Sequence, residues 1–308
     1  MTRRLLQMSG CVVDLLYEVD QVPSAGEEAI VRGFSIKPGG GFNAMVAASR
    51  TGMAVGYGGG IGSGPFAQIV REGLTAEGIS CLRHPDRTRD QGCCTVLIDA
   101  QGERTFVASE GAEGHVSPGD LEQIAFAEFD WTLLSGYALH YAGSRDTLCH
   151  WLETAGTIPN LVFDPSPVVA AIPAQARAAA LQRAHWVSAN AREATILTGL
   201  GDPAEAAQSL AASRPGGAVV RAGSGGCFVA LGGVVEHIPP YPVQVVDTNG
   251  AGDAHVGSFI ARLSQGDTPA LAARYANVAA AISTTQKGPA TTPTRSVVAD
   301  ALNRKEAS

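Results

Sequence analysis

The chain has 308 residues, of which 45% are hydrophobic and 17% charged, and its formal net charge is −7. This composition excludes a disordered chain, and the absence of any basic run argues against nucleic acid as a partner. No segment approaches the roughly 20 apolar residues of a membrane span, and the six cysteines form no C-x-x-C pair, so we expect a reduced, cytoplasmic protein with no membrane partner.

Short apolar strands alternate with helices along most of the chain. The predicted strands are 5–13, 54–61, 130–136, 160–167, 185–189 and 216–223. The predicted helices are 65–78, 143–155, 174–184, 190–197 and three that begin at about residues 251, 269 and 294. This alternation is typical of a parallel sheet covered by helices on both faces.

Two segments interrupt this alternation, at about 12–38 and 92–111, and both have the pattern of β-hairpins. The second turns at AQGE, residues 100–103. We expect the two hairpins to form a small antiparallel flap that projects from the main sheet. Since no linker composition divides the chain, the sequence predicts a single domain over 1–308.

The stretch DTNGAGD sets Asp247 and Asp253 on either side of a glycine turn that opens a predicted helix. A helix N-terminus carries unpaired N–H groups, and glycines let a ligand approach them, so this turn is suited to an anion. Asp253 would then act on a neutral hydroxyl by accepting its proton during attack on a phosphoryl group. The alternative is that Asp253 only caps the helix.

DTNGAGD resembles the C-terminal signature of the ribokinase (PfkB) family of carbohydrate kinases. The resemblance implies an α/β fold, a ribokinase-like three-layer sandwich with a mainly parallel central sheet and a small β-flap lid. It implies ATP and Mg²⁺ as cofactors and a sugar or sugar-like substrate. It also implies a catalytic base and an anion hole, which correspond to Asp253 and to Gly250, Ala251 and Gly252.

PGGGFN, before a predicted helix, resembles the family motif that contacts sugar hydroxyls, although the spacing to the Asn is one residue short. With an Asp after the first strand, it implies a substrate set of Asp14, Gly39, Gly40, Gly41 and Asn43. An Asp and an Asn are suitable ligands for neighbouring hydroxyls, because they accept and donate in fixed directions. The alternatives are a turn Asp and a helix-capping Asn.

NARE resembles the family's N-x-x-E motif, which implies that Glu193 organises magnesium-bound water with Asn190 near the phosphates. Mg²⁺ prefers oxygen ligands and keeps several waters, so one Glu acting through water is reasonable. The alternative is a helix cap with a surface Glu.

The stretch VVRAGSGGCF resembles the family's nucleotide loop, although a plain hairpin turn is equally compatible with it. With the later helix RYANVAAAIS, it implies ATP contacts at Arg221, Gly223, Gly226, Asn277 and Ala281. Many family members also bind a monovalent cation such as K⁺ beside the anion hole. The candidate ligands for it are Asp247, Asn249 and Ser283. The family usually has a large apolar residue where this chain has His255, which could pack in the helix or reach the substrate.

A rival hypothesis is a dinucleotide-binding oxidoreductase, because Gly62, Gly64 and Ala67 fit G-x-G-x-x-A and Asp86 lies about 20 residues further on. No P-loop motif occurs. We instead expect transfer of the γ-phosphoryl group of ATP to a primary hydroxyl of a sugar. A nucleoside kinase of the same family and a non-catalytic ligand sensor remain alternatives, and the flap is a candidate homodimer contact.

Overall fold

The computed structural model describes residues 3–306, with side chains to residue 304. The strands are β1 Arg4–Gln7, β2 Cys11–Val19, β3 Val31–Gly40, β4 Ala54–Tyr57, β5 Ser80–Cys81, β6 Cys93–Ile98, β7 Arg104–Ser109, β8 Trp131–Ser135, β9 Leu161–Asp164, β10 Trp186–Asn190, β11 Gly217–Arg221, β12 Cys227–Leu231 and β13 Val234–Ile238. The helices are α1 Gly41–Arg50, α2 Pro65–Ala76, α3 Pro118–Glu122, α4 Gly136–His140, α5 Ala142–Thr154, α6 Ala174–Arg183, α7 Ala191–Thr198, α8 Pro203–Ala211, α9 Ala251–Ser264, α10 Pro269–Ser283 and α11 Arg295–Glu306.

The main sheet has the order β13-β12-β11-β10-β9-β8-β1-β4-β5. Its strands from β11 to β5 pair in parallel, while β12 and β13 add an antiparallel edge. Parallel strands present their carboxyl ends along one edge, which is where open α/β sheets bind ligands. Asp164, Asn190 and Arg221 each end one of these strands.

Helices cover both faces of the main sheet, and neighbouring residues of one strand pack into opposite layers. Leu133 belongs to the apolar cluster that contains α1, α2, α9 and α10 residues, whereas Leu134 belongs to the cluster that contains α4 to α8 residues. This alternation follows from the period of two in a strand. The predicted three-layer α/β fold is therefore confirmed.

The second sheet is the flap, with the order β3-β2-β6-β7. Its two hairpins, β2–β3 and β6–β7, agree with the predicted segments, but β2 and β6 pair in parallel. Four glycines lie where the chain crosses between the flap and the main sheet: Gly10, Gly40, Gly92 and Gly111.

Other details differ from the prediction. The expected first strand over 5–13 is two strands, because the chain leaves the main sheet after β1 and enters the flap as β2. Helices α4 and α8 and the edge strands β12 and β13 were not predicted. The described residues contain no helix long and apolar enough to cross a membrane.

Helices α1 and α9 approach each other closely, and a glycine allows it. A Cβ on Gly257 of α9 would lie 2.2 Å from the carbonyl oxygen of Ala44 and 2.8 Å from the Cβ of Ala47. Both distances are too short for real atoms, so this glycine sets the separation of the two helices.

We expect Gly257→Ala to lower the free energy of unfolding by about 3 kcal/mol, because the added methyl must push the two helices apart. Urea denaturation measures the change. Gly119→Ala in α3 is the matched control, since the nearest atom to its Cβ would be 4.0 Å away. Equal effects of the two substitutions would contradict the close approach.

Candidate active site

The glycine turn before α9 is an uncapped helix N-terminus. Gly250 is the N-cap residue with φ +74°, and no side chain bonds to the first amides of the helix. The Ala251 N–H donates to the Thr248 carbonyl at 3.2 Å. The amides of Gly252 and Asp253 follow in the first turn, where a helix supplies no backbone acceptor. These donors are therefore suited to an anion.

Asp253 contacts α1 rather than capping its own helix. The Nδ2 of Asn43 donates to the Oδ2 of Asp253 at 3.2 Å. Desolvation, followed by the nearby Asp164 carboxylate, raises the pKa of Asp253 to about 7, against the lowering effect of the Asn43 hydrogen bond. A carboxylate with such a pKa changes its charge near neutral pH, as a proton acceptor requires.

Arg221 is surrounded by carboxylates at the ends of neighbouring strands. Its guanidinium donates to the Oδ2 of Asp164 at 3.2 Å and to the Oγ of Ser188 at 2.8 Å. The Oε2 of Glu193 lies 3.7 Å from its Nη2. A Cβ on Gly252 would lie 3.6 Å from the same Nη2, so this cation also borders the glycine turn.

Asn190 and Glu193 form a reciprocal capping box at the start of α7. The Asn190 side chain accepts from the Glu193 N–H at 2.8 Å, and the Asn190 N–H donates to Glu193 Oε2 at 2.8 Å. The capping alternative is thus realised, but Glu193 is buried and not a surface residue. Burial and then Asp164 raise its pKa to about 7.

The described residues contain no group of three His, Cys, Asp or Glu side chains placed to hold a metal. Glu193 also has both carboxylate oxygens bonded to Asn190. A divalent cation here would have to be bound by water and by ligand oxygens, with the Glu193 carboxylate as an outer partner. The high pKa of Glu193 fits that arrangement, because a nearby cation would stabilise its charged form.

The flap contributes Asp14 from β2, whose carboxylate lies against Gly39 of β3. Asp14 is buried, and burial raises its pKa to about 6. A Cβ on Gly39 would lie 2.3 Å from the Asp14 Oδ2, so any side chain at this position would force the carboxylate to move. Gly40 has φ +62° and precedes α1, and the Gly41 N–H donates to the Gly10 carbonyl at 2.8 Å. Asn43, in the first turn of α1, leaves its buried Oδ1 without a described hydrogen-bond partner.

Asp247 joins the glycine turn to the flap. Its carboxylate is buried and accepts from the guanidinium of Arg104 in β7. It also accepts from the N–H of Asn249 at 2.7 Å and of Gly288 at 2.9 Å. The Oγ of Ser283 donates to the Ala280 carbonyl in its own helix. The Asp247 side chain is therefore already neutralised by a protein cation.

The predicted nucleotide residues separate into two groups. Gly223 has φ +56° and nothing within 4 Å of its Cβ position, so it is open to a ligand. Gly226 instead allows a close approach of Ile238, whose carbonyl oxygen would be 2.2 Å from an added Cβ. Asn277 donates to the carbonyls of Ile238 and Pro239, and Ala281 lies one turn further along α10. The segment 223–226 is also a hairpin turn between β11 and β12.

The dinucleotide hypothesis does not fit the structure. The amides of Phe66 and Ala67 at the start of α2 donate to the Asp90 carboxylate at 3.1 Å and 2.8 Å. A Cβ on Gly64 would lie 2.3 Å from the Asp90 Cγ. These donors are thus taken by the protein's own anion, and Asp86 bonds to its neighbours Thr88 and Arg89.

Sequence reasoning missed Asp164 and Arg104. Asp164 directly follows the apolar run LVF at the carboxyl end of β9, which is a position where it could have been found. Arg104 has no local signal, because its partner is 143 residues away. His255 is buried, and its ring lies 6.2 Å from that of Phe259, so it packs within α9.

Comparison with known proteins agrees with this geometry. The family model described as pfkB family carbohydrate kinase matches residues 7–295. An uncharacterized sugar kinase of Escherichia coli is 29% identical over 306 residues, which cover 96% of this chain and 92% of the relative. A ribokinase of Bacillus subtilis is 27% identical over 307 residues, which cover 98% of this chain and 100% of the relative.

A solved structure extends the likeness to three dimensions. The fructokinase from Vibrio cholerae, in a form with bound fructose, ADP and calcium ion, matches with a TM-score of 0.79 and 26% identity. The match covers 98% of this chain and 99% of that one.

We expect Asp253→Asn to raise the free energy of unfolding at pH 8 by about 1–2 kcal/mol, because the native state holds the Asp253 charge less favourably than the unfolded chain does. The raised pKa of about 7 means that this cost is present above pH 7, shrinks as the pH falls and vanishes below the ordinary value near 4. Chemical denaturation of both proteins from pH 4 to pH 8 measures the difference. Asp300→Asn, on the exposed surface of α11, is the control. A pH-independent difference would contradict the raised pKa.

Proposed function

The chain belongs to the pfkB family of carbohydrate kinases, and we propose that it transfers the γ-phosphoryl group of ATP to a primary hydroxyl of a sugar or sugar-like acceptor. Membership makes it an ATP-dependent phosphotransferase, and the relatives named sugar kinase, ribokinase and fructokinase indicate the acceptor class. The observation that carries the proposal is the pairing of an uncapped glycine turn with a carboxylate whose pKa is near neutral.

Asp253 is the proposed general base. Its carboxylate accepts the proton of the attacking hydroxyl, which makes the oxygen a better nucleophile as the bond to phosphorus forms. The Asn43 amide fixes the orientation of this carboxylate from the neighbouring helix. A hydroxyl held between the two would be positioned for in-line attack.

The turn of Gly250, Ala251 and Gly252 is the proposed anion hole. Negative charge grows on the transferring group, and preformed N–H donors stabilise it without having to reorient. The partial positive charge of the α9 N-terminus adds to this effect. Arg221 contributes a full positive charge beside the turn.

Magnesium would be held by the phosphates of ATP and by water, with Glu193 and Asn190 as outer partners. When bound, Mg²⁺ neutralises phosphate charge and aligns the β- and γ-phosphates. Asp164 strengthens the negative field that draws the ion to this edge of the sheet.

The proposed acceptor site lies between the flap and α1. Asp14 and Asn43 bond to sugar hydroxyls, while Gly39, Gly40 and Gly41 let the sugar approach the backbone. The nucleotide lies on the other side of the turn, along Gly223, with α10 residues Asn277 and Ala281 near the adenine. Gly226 contributes by letting this turn pack closely against Ile238. The Asn277 side chain donates to the carbonyls of Ile238 and Pro239, so its role is to hold the segment that follows β13 in place.

We propose that the chain works as one domain with the flap as its lid, and that closing the lid excludes water from the reaction. The outer face of the flap carries exposed apolar side chains, with Phe34 53%, Ile36 42% and Val107 63% exposed. Ile36 and Val107 share a face because the strand register joins them in one row, through Leu15 and Thr95. Phe34, the partner of Tyr17, lies two residues before Ile36 in the same strand and therefore points to the same face. A second copy of the chain would cover this surface.

An ADP-release screen tests the proposal. With ATP and Mg²⁺, we expect one class among pentoses, hexoses, keto-sugar acids and nucleosides to give rapid turnover. Asp253→Asn should lower kcat by about 10² or more and leave nucleotide binding intact, because only proton acceptance is lost. Asp300→Asn is again the control.

Three other outcomes can be separated from this one. A nucleoside as the best acceptor would replace the sugar assignment within the same mechanism. Silence across the panel with intact ATP binding would leave a ligand sensor on the same fold. Near-normal turnover of Asp253→Asn would refute the base assignment alone.

Arg104→Gln tests the lid contact with Asp247. Loss of the guanidinium leaves a buried carboxylate without its cation, so we expect the acceptor KM to rise by about tenfold or more. We also expect K⁺ to restore part of the activity, when compared with a bulky organic cation at equal ionic strength, because a small cation can take the place of the guanidinium beside Asp247 and Asn249. Arg32→Gln, in an exposed flap ion pair, is the matched control. Unchanged kinetics would show that the contact does not hold the lid.

A further inference from the structure

A polar cavity lies away from the Asp253 site, beside the base of the flap. Its volume is about 340 Å³, and it lies between the loop that follows β5, the segment that leaves the flap after β7, and the start of α3. Its charged and titratable lining consists of Arg83, His84, Asp86, Arg89, His115 and Asp120. None of the residues assigned to phosphoryl transfer lines it.

Arg83 is the unusual member of this lining. Its side chain is only 6% exposed, and its Nη2 bonds to the Asp120 Oδ2 at 2.8 Å and to the His115 carbonyl at 3.3 Å. Its Nε and Nη1 are buried and have no hydrogen-bond partner among the described residues. Buried polar groups are nearly always paired, and an unpaired guanidinium edge is costly. Arg83, which lines the cavity, therefore carries three N–H donors that lack an acceptor among the described residues.

A second guanidinium stands at the same cavity. Arg89 is 46% exposed and bonds through Nη1 to the Asp86 Oδ2 at 2.9 Å, which leaves most of its donors available. Hydrogen bonds from Thr88 lower the pKa of Asp86 to about 2, so that carboxylate stays charged and keeps Arg89 in place. His84 and His115 add ring nitrogens that can donate.

We propose that this cavity binds a phosphate group, either as inorganic phosphate or as part of a small phosphorylated metabolite. The donors come from several sides of the cavity, and a tetrahedral phosphate can meet them together, whereas a planar carboxylate reaches fewer. Arginine forks also match phosphate geometry well. The volume exceeds what one phosphate needs, so a sugar-sized remainder fits beside it.

The cavity adjoins the base of the flap, so a ligand bound in it would lie next to the segments that attach the flap to the main sheet. Gly60 and Ala112 also line the cavity and flank a buried network at the flap base. In that network the Nε2 of Gln91 donates to the carbonyls of Cys11 and Gly60 at 2.6 Å and 3.1 Å. A phosphate held by Arg83 would therefore lie directly beside the base of the flap.

Calorimetric titration tests the proposal on the whole protein, with a non-hydrolysable ATP analogue present to fill the nucleotide side of the other site. Inorganic phosphate, ribose 5-phosphate and acetate are titrated at equal ionic strength. Arg83→Met should weaken phosphate binding by about tenfold or more, because charged hydrogen bonds are lost. Arg89→Met should weaken it less. Arg87→Met is the matched control, since Arg87 is exposed in the same loop and does not line the cavity.

The titration distinguishes the sources of the phosphate. Arg83-dependent binding of inorganic phosphate supports the free ion, and Arg83-dependent binding of ribose 5-phosphate alone supports a phosphorylated metabolite. If Arg83→Met fails to fold, Arg89→Met carries the test. Absence of binding by both phosphates, binding insensitive to both substitutions, or equal binding of acetate overturns the proposal. Each result stands whether or not the kinase screen finds an acceptor.

Discussion

The site depends on a shortage of positive charge among buried carboxylates. Asp164, Glu193 and Asp253 gather near one guanidinium, that of Arg221, and a single cation cannot neutralise three anions. Burial, followed by the neighbouring Asp164 charge, raises the pKa values of Glu193 and Asp253. Burial would lower the pKa of Arg221, but Asp164 and Glu193 raise it instead, so the guanidinium stays charged. An excess of negative charge of this kind favours a positively charged ligand over a neutral one.

The fold holds these charges together by ending strands and beginning helices at one edge. Asp164 and Arg221 are the last residues of β9 and β11, so the register of a parallel sheet fixes their separation. Asn43 and Asp253 lie on two helices in close contact, so their meeting depends on helix packing. The sheet holds Asp164 and Arg221 together, and the helix pair holds the contact between Asn43 and Asp253.

The sequence predicted the parts of the site that local patterns encode. The glycine turn before α9 and the flap hairpins follow from spacing and periodicity over a few residues. The Arg104 contact with Asp247 does not, because it joins residues 143 positions apart through the docking of the flap. The break between β1 and β2 was also missed, since an apolar run does not reveal that a chain changes sheets. Strand β13 was missed because it is short and largely exposed at the edge of the sheet, which weakens its hydrophobic signal.

The flap is attached to the main sheet through a neck that contains Gly92 and Gly111, and a small rotation at this neck gives a large displacement at the far end of the flap. Glu113 accepts the N–H groups of Gly92 and Gly111 at 2.7 Å and 2.9 Å, so the neck is tightly bonded where the sheet attaches. The contacts with Asp247 and Lys287 lie at the far end, one strand length away. Six residues at about 3.3 Å each give an arm of about 20 Å, so a rotation of about 10° at the neck moves the tip by about 3.5 Å. That displacement exceeds the length of a hydrogen bond, so a small twist that leaves every flap strand paired is enough to release the tip.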